Sequence, residues 1–209
     1  MSFDKFEKHL HDTSPGFRCF DCSDRTEKLA LLACVKNRIG KPASANVVAK
    51  ANKLFGIVSP ALLRFIQLHD GVLLYRDTKS DAAGFEFYKS TLWNSRTKEM
   101  QESMDFMGFD EADKPDWLRH GLAFAEIPHS GNYFVIQMAG DGAGQIYYAD
   151  HDDFDVKPIA SSFEQLLKMI ISDPPEFLYE RGCYTRYSDG KTDIQWIPKE
   201  YVPDCNKAR

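Results

Sequence analysis

Two cysteines and two histidines near the N-terminus come closest to a metal-ligand pattern. Cys19 and Cys22 form a lone CxxC pair, with His9 and His11 a few residues upstream. Four nitrogen and sulfur ligands are enough to close a tetrahedral zinc site. Zinc modules, however, pair two such knuckles or follow one with a helical histidine pair, and that spacing is missing. Plain reduced thiols are the simpler reading, ahead of zinc and ahead of a redox dithiol. The five cysteines are also an odd number, which does not suit a disulfide framework.

Oxygen donors crowd at Asp150, Asp152, Asp153 and Asp155, with His151 among them. A calcium loop needs donors at alternate positions and glycine at the sixth. Phe154 stands fifth and Asp155 sixth, so the template fails and the cluster reads as a solvated acidic loop suited to a basic partner. Gly140, Gly142 and Gly144 are spaced like a phosphate loop, but a strand follows them where that loop requires a helix, so they read as a hairpin turn. No GxSxG, HExxH or GxxxxGK[ST] motif occurs. His69 and His129 are isolated and read as helix-end and turn residues. Past Pro175, aromatics stand beside arginines: Tyr179, Arg181, Tyr184, Arg186, Tyr187, Trp196 and Tyr201. These types are enriched at binding hot spots, though an edge hairpin around Asp189-Gly190 that packs them onto the sheet is the simpler reading and a binding surface the alternative. The candidate partner-binding residues are therefore Asp150, Asp152, Asp153, Asp155, Tyr184, Arg186 and Trp196, and no residue is nominated as catalytic, cofactor-binding or metal-binding.

The elements that must position these residues follow from periodicity. Asp24 and Glu27 have capping-box spacing, and Leu29, Leu32, Val35 and Ile39 keep a helical period, so a helix is expected there, stopped by Gly40 and Pro42. A second helix is expected over 45–55, closed by Gly56. Ser59 as N-cap and Pro60 at the first helical position open a third, with Leu62, Leu63, Phe65 and Ile66 as its apolar stripe and Asp70-Gly71 as its end. The period then changes to two. Strands are expected over 72–75 and 84–88, and a helix over 91–107. A three-strand meander is expected over 122–127, 133–138 and 145–149, its turns carrying hairpin chemistry. A short strand near 156–159 leads to Ser161-Ser162 and a helix over 163–171, ended by Pro174-Pro175. Helices segregated from a run of short strands imply an α+β fold with a mostly antiparallel sheet of about five to six strands.

Composition narrows the function class. Hydrophobic residues make up 43 % of the 209, enough for a core that needs no disulfide or metal staple. The 26 basic residues are outnumbered by 31 acidic ones, giving a net charge of -5, which argues against a nucleic-acid partner. No apolar run approaches membrane-spanning length, and the N-terminus shows no basic segment leading into an apolar one, so a cytoplasmic location is expected.

The order of these elements resembles the SMI1/KNR4 family of the SUKH superfamily over roughly residues 45–173. Val58-Ser59-Pro60-Ala61-Leu62-Leu63-Arg64-Phe65 looks like the family's "LP…L..F" helix. Leu68-His69-Asp70-Gly71 is similar to its helix-ending motif, with Asp70 in place of the commoner Asn. Gly84-Phe85-Glu86-Phe87 with Thr91-Leu92-Trp93 resembles the strand that leads into the middle helix. Gly144 to His151 followed by Ile159 to Leu167 resembles "G.I.y.dhd…iA.sF.efL". The resemblance implies a non-catalytic protein-binding module, either an immunity protein that neutralises a toxin or a regulatory adaptor, and supplies no catalytic residue to carry over. The expected organisation is an N-terminal helical extension over 1–44 packed on the core, the family domain over 45–173, and an aromatic-rich extension over 174–209. The expected partner is another protein, a basic toxin domain being one candidate, and no cofactor is expected. The competing readings are an enzyme or small-ligand binder with a site assembled only in three dimensions, and a metal-dependent module built on His9, His11, Cys19 and Cys22.

Overall fold

The computed structural model describes residues 3–12, 17–21, 30–33, 35–77, 84–105, 114–128, 130–151, 157–181 and 196–198. In chain order these form helix α1 (Phe3–His11), strands β1 (Phe17–Asp21), β2 (Ala30–Ala33) and β3 (Val35–Ile39), and helices α2 (Ala45–Phe55) and α3 (Pro60–Leu68). Strands β4 (Val72–Asp77) and β5 (Phe85–Phe87), a 3-10 turn (Ser90–Leu92), and helices α4 (Trp93–Asp105) and α5 (Asp116–Arg119) come next. Strands β6 (Gly121–Glu126), β7 (Tyr133–Gln137) and β8 (Ile146–Ala149), helices α6 (Phe163–Ser172) and α7 (Pro174–Glu180), and strand β9 (Trp196–Pro198) complete the series. The order β3-β4-β5-β6-β7-β8 makes one antiparallel meander, and β2-β1-β9 make a second, smaller sheet. The fold is α+β, as the element pattern implies.

Strand register sorts the side chains of the large sheet onto two faces. Phe87, Ala125, Phe134 and Tyr148 line up across β5 to β8, and Glu86, Glu126, Tyr133 and Ala149 line up beside them on the other face. The first face carries a phenylalanine row, and helices on that side each add a ring to it. Phe65 of α3 lies 4.8 Å from Phe87 and 5.5 Å from Phe163 of α6, and Phe6 of α1 lies 6.1 Å from Phe65. Phe177 of α7 lies 5.8 Å from Phe85. Tilted and edge-on contacts at these distances add to the burial energy of the rings. On the second face Trp117 of α5 stacks on Tyr147 at 5.4 Å, and Arg96 of α4 sits 5.2 Å over Tyr88, whose hydroxyl donates to Glu126 Oε2 at 2.7 Å. With both faces covered, every residue of β7 is buried.

Helix caps follow the sequence closely. Ser44, Ser59 and Ser162 each accept a hydrogen bond from a backbone N–H of the first turn of α2, α3 and α6, which satisfies donors that have no partner inside a helix. Pro174 ends α6 as expected, but it also begins α7, where a proline at the first position costs nothing. Phe177 and Leu178 are consequently core residues.

Two elements differ from expectation. Where a helix was expected through Ile39, the chain forms β2 and β3; residues 22–29 and 34 lie outside the described set. Lys36 and Arg38 are exposed while Asn37 and Ile39 are half-buried, a period of two that the helical spacing of Leu29, Leu32 and Val35 masks. The strand expected near 156–159 is reduced to a single bridge between Ile146 and Ala160, since Pro158 has no N–H to give to a ladder. Val156 is outside the described residues.

Helix α1 shows in the sequence only as Phe3, Phe6 and Leu10 at helical spacing, all three buried. Its last turn is held by Asn37, whose Nδ2 donates to the carbonyls of His9 at 3.4 Å and Leu10 at 3.2 Å, while Oδ1 accepts from the Tyr75 N–H at 2.9 Å. Those carbonyls are among the four that a helix end leaves without a partner. Tyr75 has φ 57, a left-handed conformation uncommon for an aromatic residue. Its hydroxyl lies 2.7 Å from His9 Nε2 and donates to the Ile170 carbonyl at 3.2 Å. A Glu7–His69 contact at 2.9 Å ties α1 to the end of α3.

Removing the Asn37 amide in Asn37→Ala takes partners from part-buried polar groups on two elements, α1 and β4, and a loss of about 1–3 kcal/mol is expected in urea unfolding; an unchanged midpoint would refute this role. Burial lowers the pKa of His9 below 6.5, with Asp12 acting in the opposite sense. The folded state therefore binds fewer protons than the unfolded chain, and this part of the stability is lost as pH falls from about 7 through the folded value. Wild type should lose stability relative to His9→Gln between about pH 7 and pH 5. Urea midpoints at several pH values measure the gap, which stays constant if His9 is not the group responsible.

Candidate protein-binding groove

Helix α2 places Val47, Lys50, Ala51 and Leu54 on one face, because residues three, four and seven apart share a side of a helix. That face is one wall of a groove of about 520 Å³. The facing wall is the turn at Ser90 and Thr91 with Trp93 and Asn94 at the start of α4, and the floor is Gly121 and Leu122 of β6 with Met138 just past β7. The lining is mainly apolar. Of the α2 face only Ala51 is buried; Leu54 is 71 % exposed, and Ile57 just beyond the helix is 97 % exposed. Exposed Leu92 extends the apolar rim on the other side. Ser90 Oγ, buried beside the groove, makes no hydrogen bond.

Both walls hang from one turn. The Asp70 N–H donates to the Lys41 carbonyl at 2.8 Å, and Asp70 Oδ1 accepts from the Ser90 N–H at 2.6 Å. The first bond holds the approach to α2 and the second holds the turn that opens α4. Gly71 sits at φ +93, where a side chain would be strained. The Gly40 N–H donates to the Gly71 carbonyl at 2.7 Å, and the Ala43 N–H to Ile66 at 2.9 Å. A Cβ on Gly40 would overlap the Gly71 and Asp70 carbonyl oxygens, so the crossing demands glycine.

The residues singled out from the sequence do not gather at this groove. Asp150 follows β8 and is half-buried. Ala149 pairs with Tyr133 at one end of β7, whereas Gln137 pairs with Gly121 at the other, so Asp150 and the groove lie at opposite ends of the sheet. Asp152, Asp153, Asp155, Tyr184 and Arg186 lie outside the described residues, as do His129 and Cys22. Trp196 opens β9, paired with Asp21. Cys19 is in β1, His9 is bonded to Tyr75, and His11 is exposed. Among the described residues no three potential metal ligands come together. Arg181 accepts the Tyr148 hydroxyl on its carbonyl at 2.8 Å and lays its guanidinium 5.2 Å over the same ring, so the first arginine of the tail belongs to the packed body. Two carboxylates of α4 are engaged within their helix: Glu99 with Arg96 at 2.7 Å and Glu102 with Lys98 at 3.3 Å. The glycine run forms the β7–β8 hairpin, with Gly140 at φ +78 and Gly144 at φ +90.

The groove escapes a reading of the sequence because its lining comes from four separated segments. The available signals were the spacing of Val47, Ala51 and Leu54 and the two large apolar residues Leu54 and Ile57 flanking Gly56. The sequence model of the SMI1 / KNR4 family (SUKH-1) matches residues 42–169, a stretch that includes α2, the Asp70–Gly71 turn, α4 and the whole groove lining. No curated protein matches the chain. No helix among the described residues is long and apolar enough to cross a membrane.

The bond from Asp70 to Ser90 separates two substitutions. Asp70→Ala removes the acceptor and should cost about 1–3 kcal/mol, whereas Asp70→Asn keeps an acceptor oxygen in place and should cost less than half as much. Thermal melts of the two variants check the ordering; equal losses would show that the charge matters and the hydrogen bond does not.

Proposed function

The chain belongs to the SMI1/KNR4 family (SUKH-1), and from that premise we propose that it is a non-catalytic protein-binding module of the immunity type, which neutralises a toxin or serves as a regulatory adaptor. The family is known for immunity-type proteins and is generally non-catalytic. The observation that carries the reading is the apolar groove of α2, with Leu54 and Ile57 left in water. Fully burying side chains of this kind is worth about 1.5–3 kcal/mol each, and exposed large apolar residues beside an apolar groove suit an interaction site. An inhibitor of this class works by steric cover, so its affinity resides in a few anchors that fill a partner's surface and are themselves desolvated. Leu54 and Ile57 are placed for that role.

The groove is less suited to chemistry. Its polar members, Lys50, Ser90, Thr91 and Asn94, include no carboxylate or imidazole to act as a general base. It is also open along α2, so it would not exclude water from a reacting group.

The test is affinity capture of the tagged chain beside its Leu54→Asp and Ile57→Asp variants, at low and at high salt, with mass spectrometry of what remains bound. A stoichiometric protein held by wild type and lost from both variants, with melts of the variants unchanged, is the expected outcome. A partner held equally by all three would move the binding face away from α2, and no partner in any host lysate would count against a binding role.

A further inference from the structure

We propose that the groove seats an acidic amphipathic helix of the partner protein, laid along α2 with its carboxylates toward the lysines of that helix. This rests on the reading of the groove as the partner-binding face. From residue 35 to residue 69 the chain carries Lys36, Arg38, Lys41, Lys50, Lys53 and Arg64 and no carboxylate, although its net charge is -5. The acidic residues all lie elsewhere, and the segment that builds α2 and α3 is cationic in a mildly acidic protein. Lys50 lines the groove, Lys53 is exposed one turn along, and Lys41 and Lys89 are exposed at the end marked by Asp70 and Gly71. Arg64 is paired with Asp4; Lys41, Lys50, Lys53 and Lys89 enter no ion pair among the described residues.

Among the described residues no carboxylate lines the groove to cancel this rim. Asp70 is turned inward to the Ser90 N–H. Asp116 abuts Gly140, two residues past Met138, and neither it nor Asp141 lines the groove. The α2 side of the groove is therefore cationic, and a helix with one acidic flank has one favourable orientation against it. The lysine stems also add apolar surface at the rim while their ammonium groups stay in water.

Shape selects a helix. From Val47 to Leu54 the groove-lining face of α2 is about 10 Å long at 1.5 Å per residue, about two turns of a partner helix. The walls are helical and no strand edge opens into the groove, so a third helix packs by the side-chain ridges of α2, presenting anchors at i, i+3 or i+4, and i+7. An apolar track beside lysines also suits an anionic bilayer, but this one is concave and walled on both sides, and a flat membrane surface would leave its floor empty.

The test is selection from a displayed library of about 20-residue peptides with leucine fixed at i, i+3 and i+7 and the remaining positions drawn from Glu, Lys and Ala, followed by fluorescence anisotropy of the winners on the full chain. The expected winners are net acidic, lose binding to Leu54→Asp, and weaken about tenfold or more between low and high salt. A Lys50→Glu, Lys53→Glu double variant, altered only at exposed positions, should invert the charge preference while its melt stays that of wild type. Winners that depend on Leu54 but are basic or neutral would overturn the acidic assignment and leave the groove as a binding face. Absence of any Leu54-dependent winner would overturn the groove itself. Binding of the chain to vesicles of anionic lipid, lost in Leu54→Asp, would replace the helix with a membrane and overturn the proposal.

Discussion

The backbone crossing of Gly40 against Gly71, with Asp70 beside it, is the constraint from which the rest of the architecture takes its alignment. Three connections converge there: the exit from β3, the turn from α3 into β4, and the start of the 3-10 turn that feeds α4. A hydrogen bond of 2.7 Å between the two glycine backbones leaves no room for a Cβ on Gly40. The carboxylate of Asp70 then reaches across to the Ser90 N–H. An isolated surface turn would be free to drift, but this one is bonded on both sides by groups belonging to separate walls. The groove is thus a property of backbone geometry and needs no large side chain to prop it open.

Among the described side chains, the core draws on α2 through Ala51 alone. Rings from α1, α3, α6 and α7 meet the phenylalanines of β5 to β7, and the second face is closed by α4 and α5. Helix α2 contributes Ala51 to the buried set and leaves Leu54 in water. A helix that stabilised the fold through its apolar stripe would bury that leucine. Its attachment instead comes from packing on α3, from its Ser44 cap, and from the backbone bonds of residues 40–43. In the proposed role, stability and recognition are therefore carried by different side chains.

Where the sequence was legible, local chemistry agreed with tertiary packing. Helix α3 has its cap, its proline, its stripe and its terminating glycine all in register, and α6 has Ser162 before an apolar run. The β6–β8 meander was visible from its turns and its period of two. Helix α1 is short and carries no such punctuation, and the fate of residues 30–33 and 35–39 was decided by pairing with β1 and β4 respectively, long-range interactions that a capping-box spacing at Asp24 cannot report. The candidate site divides along the same line. Asp150 and its acidic neighbours are conspicuous because they are consecutive, whereas Val47, Ser90, Gly121 and Met138 are distant in the chain and meet only when the sheet end closes on α2.

That separation bears on how a module of this kind changes its specificity. In the proposed role, partner choice resides in Lys50, Leu54 and Ile57, each exposed or at the rim. Substitution there removes little buried surface and creates no cavity, so its cost to folding falls within the few tenths of a kcal/mol typical of exposed positions. The apolar floor supplies affinity to any helix that fits, and the lysines select the charge and direction of the one that stays. Changing the lysines redirects recognition while the floor is kept; changing Gly121 on the floor or Trp93 on the facing wall would disturb the sheet end or α4. A fold arranged this way can follow a varying partner by exchanging rim residues alone, because the turn at Asp70 and Gly71 fixes the walls independently of what the rim carries.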